Sequence, residues 1–434
     1  MTDRLRDEAV KVGLLGCGHV GSALVRLIDE HADVIESRAG VRVEVTRVAV
    51  RNLALERDVP LPASIFTHSA SDVVGDPEID VVVEVIGGIE PARSLVTEAL
   101  KSGKPVVTAN KELLANVAKE LFETAETAGV DLLFEASVGG GIPLIRPLRE
   151  SLAGDRIRRV MGIVNGTTNY ILTRMTEEGS SFQEALAEAQ TLGYAERDPT
   201  ADVEGFDAAA KAAIMASIAF GARVVAGDVY REGITAVTDD DIASAHELGY
   251  VVKLLAVVEE ADGEIAARVH PAMVPVHHPL ASVRESFNAL FIEGDAVGEL
   301  MLYGRGAGGS PTASAVLGDL IDASKNLVSA GRGATIGPLA RRPIRPIDAV
   351  ESQFYLLMEV ADRPGVLAAI ASEFGRHGVS IKSMQQKGIG DDARLIFVTH
   401  KAREAALRAT VHALRDVEPV HRVGSVVRVI GDEP

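Results

Sequence analysis

The chain is almost without cysteine. A single thiol, Cys17 among 434 residues, excludes an intrachain disulfide and gives no sign of an oxidising compartment, so the cytoplasm is the expected location. Long apolar runs are missing as well. The first apolar stretch, residues 10–15, and the longest uncharged run of the Ala-rich middle, residues 212–222, fall well short of the roughly 20 residues of a membrane-spanning helix. The first is also too short for a signal peptide's apolar segment. Cations are scarce: 44 Lys and Arg face 62 Asp and Glu, a formal charge of −18. Such a surface repels phosphate backbones and anionic lipid, so neither nucleic acid nor a membrane is an expected partner. His270, His277 and His278 lack the second ligand pair of a zinc site and read as solvated loop histidines. There is no internal repeat.

What remains is ordinary globular composition, 47% apolar and 24% charged with 41 Gly and 18 Pro, in a length suited to two to four domains. Short Val-rich runs at 11–15, 41–50, 81–85, 105–108 and 132–134 alternate with helical stretches. This is the pattern of an α/β chain with a parallel sheet and crossover helices. Between the first two runs, Leu24, Val25, Leu27 and Ile28 form one stripe of an amphipathic helix. After residue 135 glycines thicken and an Ala-rich helix follows, so a boundary is expected there. Residues 331–346 read as a linker that Pro and Gly keep from regular pairing, with Arg341, Arg342 and Arg345 as solvated charge. Beyond it the order βαββαβ is predicted, with strands at 353–360, 379–386, 394–400 and 421–430 and helices at 364–377 and 403–415.

Gly16-Cys17-Gly18-His19-Val20-Gly21 follows the first strand and opens the first helix. Gly16 permits the tight turn, Gly18 lets a pyrophosphate approach the backbone, and Gly21 lets helix pack on strand, with the helix N-terminus facing the anion. Cys17 reads as a small filler. The second strand ends not in an acid for a ribose 2′-hydroxyl but in Arg51, a cation suited to a 2′-phosphate; the other reading is an ordinary exposed strand end. Thr108-Ala109-Asn110-Lys111 closes a later strand at the end where open parallel sheets bind ligands. Lys111 there can hold a cofactor phosphate or ribose, orient substrate, or merely start a helix in solvent. Asp207 and Lys211, four apart on one helical face, suit an ion pair. Ala and Ile around them leave no polar face, so Lys211 reads as a buried lysine held by a carboxylate, a candidate proton donor.

Taken in order, Gly16 to Gly21, Thr108 to Lys111, Glu135-Ala136-Ser137-Val138-Gly139-Gly140-Gly141-Ile142-Pro143, Asn165-Gly166-Thr167-Thr168-Asn169, Gly193-Tyr194-Ala195-Glu196 with Asp198-Pro199, and Asp207 with Lys211 resemble homoserine dehydrogenase over about residues 10–320. The tail, with Asp362-Arg363-Pro364-Gly365-Val366-Leu367 opening its first helix, resembles an ACT domain, an amino-acid-sensing module. No kinase segment precedes the first strand, as in the monofunctional, ACT-tailed form. The resemblance implies a Rossmann domain at 1–134, a substrate-binding and dimerisation domain at 135–318, a returning helix and linker at 319–348, and the ACT domain at 349–434.

It further implies that Lys211 protonates the carbonyl oxygen of aspartate semialdehyde as NADPH, preferred over NADH, delivers hydride. Lys111 would sit by the nicotinamide. Gly16, Gly18, His19, Val20, Gly21, Arg51 and Gly308 would line the cofactor. Asp207 and Glu196 would bind the substrate's polar ends, with Gly193 and the Asn165 to Asn169 loop shaping the pocket. The Glu135 carboxylate and the carbonyls of Val138, Gly140 and Ile142 would hold a monovalent cation, usually sodium; otherwise this is a plain Gly-rich turn. In the tail, Asp362, Gly365, Val366, Leu367, Gly378 and Val379 would face an amino acid, threonine by the family's pathway, at an interface of a homodimer or homotetramer. The rival readings are a reductase of another semialdehyde and a non-catalytic regulator that senses NADP and an amino acid.

Overall fold

Residues 8–334, 336–388 and 393–431 are described by the structure, a computed structural model. Contacts divide the chain into two compact units, one of Met1–Val160, Ala210–Asp228 and Asn288–Arg342, the other of Met161–Ala209, Val229–Phe287 and Pro343–Pro434.

In the first unit six strands form a parallel sheet: β1 (Val10–Leu15), β2 (Val43–Ala49), β3 (Phe66–Thr67), β4 (Val81–Glu84), β5 (Val106–Thr108) and β6 (Leu132–Leu133), in the order β3-β2-β1-β4-β5-β6. Every pair is parallel. All residues of β4 and β5 are buried, because helices cover both faces of such a sheet, and this is why those strands read as unbroken valine. The order reverses between β1 and β4, and the strand ends beside that reversal are where this architecture takes a dinucleotide. Helix Gly309–Ser329 returns to the same core, placing Ala313, Val316, Leu320 and Ala323 with Ala23, Leu24 and the valines of β1 and β4.

The second unit is built on the hairpin β7 (Tyr250–Ala261) and β8 (Glu264–Pro275). Its two-residue turn, Asp262 and Gly263, has φ of 55° and 81°, the left-handed pair that matches strand twist in a hairpin. Next to β8 runs the end of the chain. Strands β9 (Glu351–Val360), β10 (Ile381–Lys387), β11 (Ala393–Thr399) and β12 (Val420–Val429) continue the sheet in the order β8-β12-β9-β11-β10. Helices Val366–Arg376 and Glu404–Leu414 complete the predicted βαββαβ module and close its core over Phe354, Phe374 and Phe397. The first of these helices ends at Gly378, φ 72°, with the Val379 amide returning to the Phe374 carbonyl.

Two expectations fail here. The 331–346 segment is not without regular pairing. Ala340 bridges to Ala222 in the first unit, and Ile344 bridges to Ile265 in the second. Arg345 is not free linker charge either. Its guanidinium meets Glu264 and the Ala261 carbonyl at 2.9 Å each. Prolines do not prevent this, because an edge segment needs only its alternate N–H groups. Among the described residues no helix is long and apolar enough to cross a membrane.

Strand β12 is tied to its surroundings by a buried cation. Arg428 puts Nε and Nη2 on Glu404, at 2.5 and 2.9 Å, and Nη1 and Nη2 on Glu232, at 2.8 and 2.9 Å. Burial alone would raise the Glu232 carboxyl, but Arg428 holds it below its usual value. Replacing Arg428 by Met strands two carboxylates, and the expected loss is about 3 to 5 kcal/mol in a denaturant melt. Adding Glu232→Gln and Glu404→Gln to that variant should recover most of it, since the charges that need a partner are then gone.

Candidate active site

The glycine-rich loop in the first unit has the geometry its sequence implies. Gly16 sits at φ 100° with the Val85 carbonyl oxygen 2.9 Å from where a Cβ would lie, and a Cβ on Gly21 would fall 2.3 Å from the Gly16 oxygen. A Cβ on Gly18 would meet no atom beyond its chain neighbours within 4 Å, so backbone there is open to a ligand. His19 is exposed at the first turn of helix His19–Glu30, while Val20 packs on the core. The start of helix Gly309–Ser329 lies against the same turn: a Cβ on Gly309 would be 3.0 Å from the His19 oxygen, and Gly308 precedes it at φ 113°. Arg51 is exposed two residues beyond β2. Arg57, which the sequence did not single out, donates to the Cys17, Asn52 and Leu55 carbonyls and so buttresses this loop.

At the neighbouring strand ends lies a buried carboxylate that sequence reasoning missed. Glu84 ends β4 fully buried and accepts from the Ile86 and Gly87 amides at 2.9 and 3.1 Å and from Thr108 Oγ1 at 2.5 Å. Thr108 in turn accepts from the Asn110 amide, and the Asn110 side chain caps helix Lys111–Ala128 through Leu113 N while donating to Gly88 O. This network fixes the turn that presents Lys111. An acid closing a run of three valines was the signal.

Glu135 is also buried. Its carboxylate accepts the amides of Leu144, Ile145 and Arg146 at 2.5 to 2.8 Å, and its own N–H donates to Asp319. Three of about four lone-pair positions are thereby taken by N–H groups. Among the described residues, no loop or turn hydrogen bond ends on the carbonyls of Val138, Gly140 or Ile142. No group of three or more His, Cys, Asp or Glu forms a metal cluster among the described residues. Asp319, in the same network, has its carboxyl raised by burial to about 7.

In the second unit the start of helix Gly166–Glu178 gathers the polar groups. Asn165 accepts from Thr168 N at 2.9 Å and donates to Asp202 at 2.7 Å and to Asp207 at 2.9 Å. Thr167 Oγ1 reaches the Tyr194 carbonyl at 2.6 Å, fixing the segment that carries exposed Gly193 and Glu196. Asp202 was not foreseen, because it belongs to the short helix Thr200–Val203 and shares no helical spacing with Asp207. Helix Phe206–Phe220 carries Asp207 and Lys211 one turn apart, 7% and 9% exposed, and residues 208–216 are all buried.

In the tail, Val366 and Val379 are buried in the module's own core, Leu367 is exposed, and Asp362 accepts from Gln386 at 3.0 Å. Gly365 and Gly378 have φ of 92° and 72° with no atom within 4 Å of a Cβ. The histidine reading needs one correction: His270 is no solvated loop residue but lies inside β8, 1% exposed, and burial with Arg428 and Arg268 nearby drives its pKa well down. His278 caps a turn through Leu280 N.

A doubly wound sheet with a glycine loop at its first crossover, a buried acid and lysine on one helix, and a βαββαβ tail define a nicotinamide-dinucleotide dehydrogenase with an amino-acid-sensing module. Family models agree: "Homoserine dehydrogenase, NAD binding domain" matches residues 16–135, "Homoserine dehydrogenase" residues 143–321, and "ACT domain" residues 354–419. Homoserine dehydrogenases of Mycobacterium tuberculosis and Corynebacterium glutamicum are each 50% identical, over 98% of this chain and 98% and 96% of theirs. The crystal structure of a homoserine dehydrogenase from Thiobacillus denitrificans superposes with a TM-score of 0.91 at 42% identity, covering 98% of both chains. A hyperthermophilic archaeal homoserine dehydrogenase in complex with NADPH aligns at TM-score 0.63 and 31% identity over 73% of this chain and 98% of that one. The chain belongs to the homoserine dehydrogenase family, oxidoreductases of threonine, methionine and isoleucine biosynthesis.

Lys253, 2% exposed, supports the Asn165 helix from below: its Nζ donates to Asn169 Oδ1 at 3.0 Å and to Val283 O at 2.5 Å. Burial lowers its pKa to about 8. A folded-state pKa below the unfolded one contributes stability above the unfolded value that is lost as pH falls toward the folded one. Stability of the wild type should therefore gain from this group between pH 8 and about 10. Denaturant melts of Lys253→Met should lack that gain; an identical pH slope in both proteins contradicts a buried, easily deprotonated Lys253.

Proposed function

We propose that the chain reduces L-aspartate 4-semialdehyde reversibly to L-homoserine with NADPH in preference to NADH, in the cytoplasm, as a homodimer or homotetramer. The observation that carries the residue assignment is the burial of Asp207 and Lys211 together on a helix with no solvated face at 208–216. A bound nicotinamide supplies the hydride. Lys211 gives its proton to the carbonyl oxygen as negative charge develops there, and takes it back in the reverse direction. Asp207 and Glu196 bind the substrate's amino and hydroxyl ends, and Lys111 orients the reacting groups beside the nicotinamide ribose. Gly16, Gly18, His19, Val20, Gly21 and Gly308 surround the dinucleotide, and Arg51 reads its 2′-phosphate, supported by its exposure just past a strand end that lacks an acid. A sodium ion on the carbonyls of Val138, Gly140 and Ile142, with Glu135 supplying compensating charge, would stiffen the turn; the sodium dependence of the rate in cation-free buffer tests it. The functional modules follow one another along the chain, with boundaries at residues 134, 318 and 348 that cut across the two contact units.

Lys211→Ala should retain NADPH binding by fluorescence titration and lose at least about 100-fold in kcat. If only KM rose, Lys211 would be an anchor and no proton donor. A non-catalytic sensor would have no turnover for the substitution to remove, and another semialdehyde as the faster substrate would point to the sister reductase.

Threonine is proposed as an inhibitor bound at the tail near Asp362, Gly365, Leu367 and Gly378, with main-chain groups of Val366 and Val379 in reach. Removing the tail is a poor test, because β12 pairs with β8 and Arg428 would leave Glu232 behind. Gly378→Glu tests it within the full chain. The variant should keep its activity and lose a coupling of about 5- to 150-fold in threonine affinity. Unchanged inhibition would place threonine elsewhere.

A further inference from the structure

Asn165 is only 5% exposed, so its amide makes its hydrogen bonds within the protein. Its oxygen takes Thr168 N and Thr168 Oγ1, at 2.9 and 3.0 Å, which turns the NH2 group outward from the helix start. Both of those N–H bonds end on carboxylates, Asp202 Oδ1 and Asp207 Oδ2, at 2.7 and 2.9 Å. Two acids from different helices are thus held on one neutral donor. The donor itself is held by its surroundings. A Cβ on Gly166 would stand 2.6 Å from Ser286 O, so this turn lies directly on that backbone, and one turn on Asn169 donates to the Glu285 and Phe287 carbonyls at 2.8 and 3.2 Å.

We infer that Asn165 is a positioning residue of the dehydrogenase reaction: its amide fixes the Asp207 carboxylate and binds the Asp202 carboxylate to the same point, setting the acid that the substrate meets. This rests on the reading of Asp207 given above. An amide fits this place because it donates twice without adding charge, whereas a lysine would neutralise the acids and an aspartate would repel them.

Two substitutions keep the helix cap and remove the donors. Serine and aspartate both accept from the N3 amide as well as asparagine does, but neither can donate to both acids. Asn165→Ser and Asn165→Asp should fold and keep the NADPH affinity, with a lowered melting temperature because the buried Asp207 carboxylate loses a donor. Each should lose about 10- to 100-fold in kcat/KM, the size of one charge-assisted hydrogen bond. Asn165→Asp should also shift the acid limb of the kcat/KM pH profile upward, because a third carboxylate makes the cluster harder to ionise. Asp207→Asn is measured beside them. If it is impaired while both Asn165 variants match the wild type in rate and pH profile, the inference about Asn165 is overturned. If Asp207→Asn is itself fully active, the reading of Asp207 is what fails. A loss of rate that follows a fall in melting temperature with an unmoved acid limb in Asn165→Asp would make Asn165 a helix cap and nothing more. Should the serine variant fail to fold, the aspartate variant decides alone.

Discussion

A helix that begins inside a protein brings N–H groups that no carbonyl of its own can take, and in a buried setting each must find an acceptor or cost about 1 to 3 kcal/mol. Three such starts occur here, the third at the helical segment 145–151. Asn110 closes helix Lys111–Ala128, Asn165 closes helix Gly166–Glu178, and Glu135 takes the three amides from Leu144 to Arg146. Each of the three residues has a second contact: the Asn110 side chain with Gly88, the Asn165 side chain with two acids, and the Glu135 main-chain N–H with Asp319. The requirement that makes the helices stable therefore also fixes where the neighbouring Lys111, Asp202 and Asp207 stand.

That double use explains what could be read from sequence. The β1 loop was legible because its glycines are required by local geometry, a left-handed turn at Gly16 and a close approach at Gly21, and local geometry leaves a spacing. The helix of Asp207 and Lys211 was legible through its lack of a polar face, and the tail through its alternation of strand and helix. Asp202 and Glu84 left no periodic trace, since each acquires its neighbours from a segment distant in sequence: Asn165 for one, Thr108 for the other. His270 and Arg345 were misread for the same reason. A histidine beside proline looks like loop, and only the full pairing of β7 with β8 buries it; an arginine among prolines looks solvated until Glu264 is found beside it.

Within the second unit the tail is held to the β7–β8 hairpin by more than the chain that leads into it. Strand β12 lies parallel to β8 over Ala272 and Met273, and Arg428 in that strand ties Glu404 of the module to Glu232. Glu232 precedes Gly233, where a Cβ would fall 2.3 Å from Val203 O, at the end of the short helix that holds Asp202. Arg428 and Glu232 thus link the βαββαβ module to the backbone beside Asp202.

Everything proposed for Lys211, Asp207 and Arg51 depends on what the chain turns over. Initial rates of NADPH and NADH oxidation with L-aspartate 4-semialdehyde, with the product identified by chromatography, test it most directly. Steady oxidation with homoserine as the product, and a higher kcat/KM for NADPH than for NADH, is the predicted result. No oxidation by protein that binds NADPH would contradict the assignment of Lys211 and Asp207 to chemistry, and equal rates with both cofactors would remove Arg51 from the recognition of a 2′-phosphate.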